Sequence, residues 1–152
     1  DDRIAEGKSV TPGFLIAAFL WDAFDEKREA LVASGVSHHE AVEQAADVVI
    51  SRQIAQTAIP RRFTQMTREI WALQYRLPRL QAKRVVRMAE NPRFRAAYDF
   101  LALRAEAGEP LTELVNWWTR YQGVDEQGRE AMLSELTPGN RGRRRRPRRN
   151  RS

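Results

Sequence analysis

The sequence predicts an all-α fold of six to seven helices in one compact domain, followed by a disordered basic tail. Three observations predict it. Apolar residues recur at steps of three and four, and no alternating run of the kind a strand needs is sustained. Capping residues, prolines and glycines punctuate the chain at helix-length intervals. From Thr137 to Ser152 the composition changes abruptly, with no apolar side chain other than proline. That segment cannot bury enough area to offset the entropy of ordering. The folded domain is therefore placed at residues 1–136 and the tail at 137–152.

Thr11-Pro12 reads as an N-cap followed by proline at the first helical position, with Phe14, Leu15, Ala18, Phe19 and Leu20 at helical spacing. This predicts a helix to about Ala33, stopped at Gly35. Ser37-His38-His39-Glu40 is a capping-box pattern that opens a second helix with Ala41, Val42, Ala45, Val48 and Val49 on its inner side. That helix should end before Ile59-Pro60, because the residue before a proline is pushed out of the helical region. Pro60 opens a third helix to about Arg76, Pro78 a fourth to about Ala89, and Asn91-Pro92 a fifth to about Ala107, terminated by Gly108. Pro110 opens a sixth with Leu111, Leu114, Val115, Trp118 and Tyr121, and Asp125 caps a short seventh anchored by Met132, Leu133 and Leu136. No repeat of fixed period survives inspection.

A chain of 152 residues, 42% apolar and 30% charged, suits one globular domain. Without cysteine there are no disulfides, thiolate metal sites or cysteine nucleophiles. The longest apolar run, Phe14 to Trp21, is far short of the ~20 residues that span a bilayer. No signal peptide is visible, and an opening at Asp1-Asp2 suggests an excised piece of a longer protein.

The net charge of +6 hides a segregated pattern. Residues 1–59 and 105–136 are each net −5, whereas Pro60 to Arg104 holds eleven Lys or Arg against three acids, and the tail holds eight Arg and no acid. Localised charge of this kind indicates a binding face for a polyanion, of which nucleic acid is the commonest. In the central block Phe63, Met66, Ile70, Leu73 and Leu77 share one side of a helix, leaving the cations for solvent.

Catalytic constellations are missing. The only histidines, His38 and His39, are adjacent at a helix start and read as solvent-facing first-turn residues. Neighbours on a helix point about 100° apart and cannot chelate as an i, i+4 pair does. Asp22, Asp25, Glu26 and Glu29 read as a solvated acidic face, and no glycine-rich phosphate loop exists. On its own the chain is not expected to be an enzyme. Binding chemistry is richer. Arg76, Arg79, Lys83 and Arg87 step by three, four and four, a spacing that lines them along the Pro78 helix and its lead-in. Arg61, Arg62 and Arg68 flank them on the preceding helix, and Arg93 and Arg95 open the next, where free backbone N–H groups favour a phosphate. Glu69, Glu90 and Asp99 are too few to neutralise the eleven cations.

Trp71, Tyr75, Phe94, Tyr98 and Phe100 are candidates for stacking on unpaired bases, although Phe94, Tyr98 and Leu101 share a face that suits a core. Trp117 and Trp118 cannot both point inward, so one should lie at an edge, against another domain in preference to a base. The tail arginines Arg143, Arg144, Arg145, Arg146, Arg148 and Arg149 suit a polyanion tether, with a salt slope of about −0.7 per phosphate contact on single strands. A nuclear-import signal fits their composition equally well.

The segments TPGFLIAAFLW, AIPRRFTQMTREIWALQYRLPRLQAKR and NPRFRAAYDFLALRAE, then LVNWW and the terminal arginine run, resemble the C-terminal region of the bacterial poly(A) polymerase family. The likeness covers nearly the whole chain in the same order. That family belongs to the nucleotidyltransferase superfamily and transfers AMP from ATP to RNA 3′ ends, marking transcripts for decay, through two metal-bound carboxylates on an N-terminal head. Neither the Gly-Ser loop nor the Asp-x-Asp carboxylates of that head occur here. The resemblance therefore implies the helical body and basic tail of such an enzyme, with ATP and Mg2+ belonging to the absent catalytic head. It implies RNA contacts for the basic positions of the matching segments, Arg84 among them, and no catalytic residue. The partners it implies are single-stranded RNA 3′ ends and the head, for a cytoplasmic monomer with no membrane insertion.

Two readings from other classes stand beside it. A helical DNA-binding regulator would prefer a duplex and discriminate sequence. A protein-interaction scaffold using the Phe14 to Trp21 helix and Trp117-Trp118 would bind without salt sensitivity. A CCA-adding enzyme is a closer cousin, and by resemblance the arginine tail argues against it.

Overall fold

A computed structural model of the protein describes residues 11–54 and 58–136, which form helices joined by short connections and contain no strand. Residues 1–10, 55–57 and 137–152 lie outside the described residues, and with them the expected tail and its arginines. Seven helices follow in order among the described residues: α1 Pro12–Ala33, α2 His38–Ile54, α3 Arg61–Gln74, α4 Ala82–Glu90, α5 Phe94–Glu106, α6 Thr112–Gly123 and α7 Glu126–Glu135.

The local signals act as their chemistry dictates. Thr11 Oγ1 accepts the Phe14 N–H, with Pro12 at the first position of α1. Past its end, the N–H of Val36 reaches back to Leu31 O and that of Gly35 to Val32 O. This Schellman closure needs the left-handed φ of +101° that Gly35 supplies. Gly108, at φ +109°, closes α5 the same way, with Glu109 N–H on Arg104 O. Ser37 Oγ accepts the Glu40 N–H at the start of α2, and Asp125 accepts that of Gly128 in α7.

One boundary departs from the sequence reading. Pro78 opens no helix; α4 begins four residues later, at Ala82. Had a helix begun at Pro78, the Gln81 N–H would close its first turn on Leu77 O. Instead Trp118 Nε1 donates to Leu77 O at 3.0 Å, and Gln81 N–H turns to Arg79 O. The fully buried Leu77 side chain anchors this corner, and Gln81 leaves it in an extended conformation. Pro60, Pro92 and Pro110 likewise lie just before their helices and not at the first helical position.

Two apolar clusters hold the helices. The first joins α1, α2 and α3 with Phe100 of α5, around Trp21, Phe24 and Trp71. Phe24 and Trp71 stack at 4.3 Å with rings 11° apart, and Trp71 Nε1 donates to Ala17 O at 3.0 Å. The second joins α4, α5, α6 and α7 to Leu73 and Leu77, around Trp118 and Phe94. Helices α3 and α5 serve both. Between them Gln74 is buried but satisfied: its Nε2 donates to Ile70 O and Ala97 O, and its Oε1 accepts from Arg104.

Candidate nucleic-acid interface

Helix α3 sets the geometry. Its inner face is pinned to α1 by Thr67, whose hydroxyl donates to Gly13 O at 2.7 Å, and by Trp71. Its last residues feed the buried corner at Leu77. With Leu77 turned inward, Arg76 and Arg79 on either side of it project outward and are exposed. Helix α4 then places Val85 and Met88 inward and Lys83, Arg84 and Arg87 outward.

The predicted ladder of Arg76, Arg79, Lys83 and Arg87 along a helix from Pro78 and its lead-in is therefore not what forms, because that helix begins only at Ala82. Arg76 and Arg79 come from the turn, and the residue that joins them and Arg87 is Arg84. These four arginines line one cleft of about 490 Å³, floored by Leu73 and Met88 and bounded by Asn91. Lys83 faces a neighbouring shallow hollow with Val86, Arg87 and Leu133. No ion pair engages Arg76, Arg79, Lys83, Arg84 or Arg87 among the described residues. Exposed cations with no internal partner are left to make charge-assisted hydrogen bonds to an anion from outside.

The other predicted cations are partly spent within the fold. Arg68 pairs with Asp47 at 2.7 Å, Arg93 with Glu69 at 2.7 Å, and Arg95 with Asp99 at 3.4 Å. Arg62 lies over the Phe63 ring, and Arg61 is exposed beside it at the start of α3. Arg93 still borders a hollow of about 590 Å³ with Glu69, Arg76 and Asn91, so it adjoins the arginine cleft. Asn91 Oδ1 accepts the Arg93 N–H at 2.8 Å, fixing the chain between α4 and α5. The tail positions Arg143, Arg144, Arg145, Arg146, Arg148 and Arg149 lie outside the described residues.

The aromatic candidates for base stacking divide. Trp71, Phe94 and Phe100 are buried, which assigns them to the core. Tyr75 and Tyr98 are half-buried. The Tyr75 hydroxyl donates to Asp25 at 2.7 Å, and Arg28 lies 4.5 Å over its ring. Burial, then the Asp25 carboxylate, pushes the Tyr75 phenol far above its usual range. Asp25 thus leaves the supposed solvated acidic face, whereas Asp22, Glu26 and Glu29 remain exposed on it. Trp118 is buried while Trp117 sits half-exposed, stacked on Tyr121 at 5.4 Å.

Two functional candidates escaped the sequence reading. His38 and His39 are exposed in the first turn of α2, as expected, but they also line a hollow of about 360 Å³ with Tyr75, Arg76 and Arg79. No spacing within α2 announces this, because it depends on how the chain returns after α3. Among the described residues no group of three or more His, Asp or Glu is placed to hold a metal.

A seven-helix body with unpaired arginines concentrated in one cleft defines a basic helical module. Residues 34–152 match the model of a family described as the polymerase A arginine-rich C-terminus. The chain belongs to that family. It is 42% identical over 153 residues to poly(A) polymerase I of Escherichia coli O157:H7, covering 97% of this chain and 33% of that protein. Poly(A) polymerase I of Salmonella typhi is 39% identical over the same coverage. That of Haemophilus influenzae is 38% identical over 137 residues, covering 89% of this chain and 30% of the relative. The chain spans about a third of the length of the curated relatives it matches.

Proposed function

We propose that this chain is the RNA-binding C-terminal portion of a poly(A) polymerase-type nucleotidyltransferase. One observation carries the reading: Arg76, Arg79, Arg84 and Arg87 converge on one cleft without internal counter-ions. Guanidinium groups so arranged suit a chain of phosphates, and apart from Asn91 every polar side chain lining the cleft is an arginine, so backbone contact without sequence readout is the mode it favours. Arg61, Arg62 and Lys83 extend the charge outward from the cleft, and Arg68, Arg93 and Arg95 supply weaker, shared contacts. The tail arginines add a polyanion tether that raises capture rate. The body takes up residues 1–136 and the tail 137–152. The partner is single-stranded RNA near its 3′ end, presented to a catalytic head that precedes this region and supplies the ATP and Mg2+ chemistry. The module works as a monomer in the cytoplasm.

The test is binding of a labelled single-stranded RNA after Arg76, Arg79, Arg84 and Arg87 are all changed to Glu. All four are exposed and unpaired, so helix content should hold. At about 0.7 per phosphate contact, losing four contacts should flatten the salt slope by nearly 3 and lower affinity by more than tenfold at moderate salt. Unchanged affinity and slope would refute the assignment. Preference for a duplex with sequence discrimination would favour a DNA-binding regulator instead.

A further inference from the structure

We propose that the hollow between the start of α2 and the turn after α3 is a second phosphodiester-binding subsite, in which His38 and His39 act with Arg76 and Arg79. The inference rests on the RNA-binding reading above and extends the strand's path beyond the arginine cleft.

The geometry is continuous. Arg76 and Arg79 line both the 490 Å³ arginine cleft and the 360 Å³ histidine hollow. A strand held by Arg84 and Arg87 and crossing Arg76 and Arg79 arrives at the two imidazoles. The hollow presents two guanidinium groups and two imidazoles against one lining carboxylate, Glu43. Helix α2 runs for 17 residues from His38, so its start adds the partial positive end of a helix dipole. The site is also buttressed. The His38 ring meets Tyr75 edge-on at 5.0 Å, and Tyr75 is itself held by Asp25 and Arg28 of α1.

The charges facing His38 come from every element around it. Helix α1 contributes Arg28 and Asp25, α2 contributes His39 and Glu43, and the chain after α3 contributes Tyr75, Arg76 and Arg79. Burial first, then Arg28, Arg79 and His39, hold His38 below the ordinary imidazole range. It is therefore neutral at neutral pH. A phosphate in the hollow supplies the missing anion and favours the protonated ring, so binding takes up a proton at His38. The chain contains two histidines and no cysteine, so no other side-chain type ordinarily titrates between pH 5.5 and 7.

The sign for folding is opposite. A histidine with a lowered folded-state value stabilises the fold above its unfolded value and loses that contribution as pH falls below it. Stability and RNA affinity should thus move in opposite directions between pH 7.5 and 5.5.

The experiment is fluorescence anisotropy of a fluorescein-labelled 15-nucleotide oligo(A) RNA at fixed salt from pH 5.5 to 8. It compares the full chain, the His38→Gln/His39→Gln double variant and the His39→Gln single variant, with helix content checked by circular dichroism at each pH. The full chain should gain about threefold or more in affinity from pH 7.5 to 5.5. The double variant should bind more weakly at pH 5.5 with a flat profile, and His39→Gln, whose exposed ring leaves the Tyr75 contact intact, should fall between. A folded double variant with wild-type affinity and pH profile overturns the subsite. If the His variants bind like wild type while the four-arginine reversal weakens binding, only this subsite fails. If the four-arginine reversal also leaves binding unchanged, the RNA-binding reading fails with it.

Discussion

Changing Trp118 to Phe should cost the fold about 2–4 kcal/mol and loosen the arginine cleft at the same time. The indole is fully buried, and its Nε1–H is the partner that holds Leu77 O at 3.0 Å. Phenylalanine keeps the ring contacts with Phe94 and Tyr121 in part but cannot donate. An orphaned buried carbonyl costs about 1–3 kcal/mol, and the volume lost between indole and phenyl leaves a cavity worth on the order of 1 kcal/mol. For a body of this size that corresponds to a melting temperature lower by about 6–16 °C. The freed Leu77 carbonyl can recover a partner only if the turn between α3 and α4 moves, and Arg76 and Arg79 move with it. Urea and thermal unfolding followed by circular dichroism give the stability, and RNA anisotropy well below the new midpoint gives the binding. Trp117→Phe is the control: half-exposed and stacked on Tyr121, it should cost under about 1 kcal/mol and leave binding alone. A Trp118→Phe protein as stable as wild type within ~0.5 kcal/mol would show that the Leu77 bond does not hold the corner.

Other consequences follow from the packing of α1. A Cβ at Gly13 would lie 2.8 Å from Phe63 O and 2.9 Å from Met66 Cβ, contacts made by backbone and an inner side chain. Gly13→Ala should therefore force α1 and α3 apart and cost about 1–3 kcal/mol by urea unfolding, despite alanine's better helix propensity. Phe19 and Phe24 stand on the same helix with opposite fates, 83% and 0% exposed. Phe24→Ala should cost about 3–5 kcal/mol by urea unfolding, whereas Phe19→Ser should stay within about 0.5 kcal/mol.

Much of the fold was legible because its signals are local. Thr11, Gly35, Gly108 and Asp125 mark helix ends through bonds to residues three to five positions away, and the sequence displays those spacings directly. The Trp117-Trp118 divergence was legible for the same reason, since adjacent helical residues cannot share a face. The start of α4 was not. A proline after a helix looks like the opening of the next one, and only the long-range bond from Trp118, 41 residues away, diverts Leu77 O from that role. The arginine arrangement inherits that miss: Arg84 replaces Lys83 in the cleft because Arg76 and Arg79 are on a turn and carry no helical phase. The pairing of Asp25 with Tyr75 and the position of His38 and His39 beside Arg79 were hidden likewise, as each joins segments that meet only in the folded chain.

The central claim, that the folded body and not only the tail engages RNA, is met most directly by one comparison. Anisotropy titrations of a labelled single-stranded RNA across several salt concentrations would use the full chain and a version ending at Leu136. The shortened chain should still bind, with a slope of log affinity on log salt of at least about −3, the share of the four cleft arginines alone, and the tail should add affinity and further slope. Loss of binding with the tail would contradict it, leaving the arginine cleft as surface charge and the helices as a structural body.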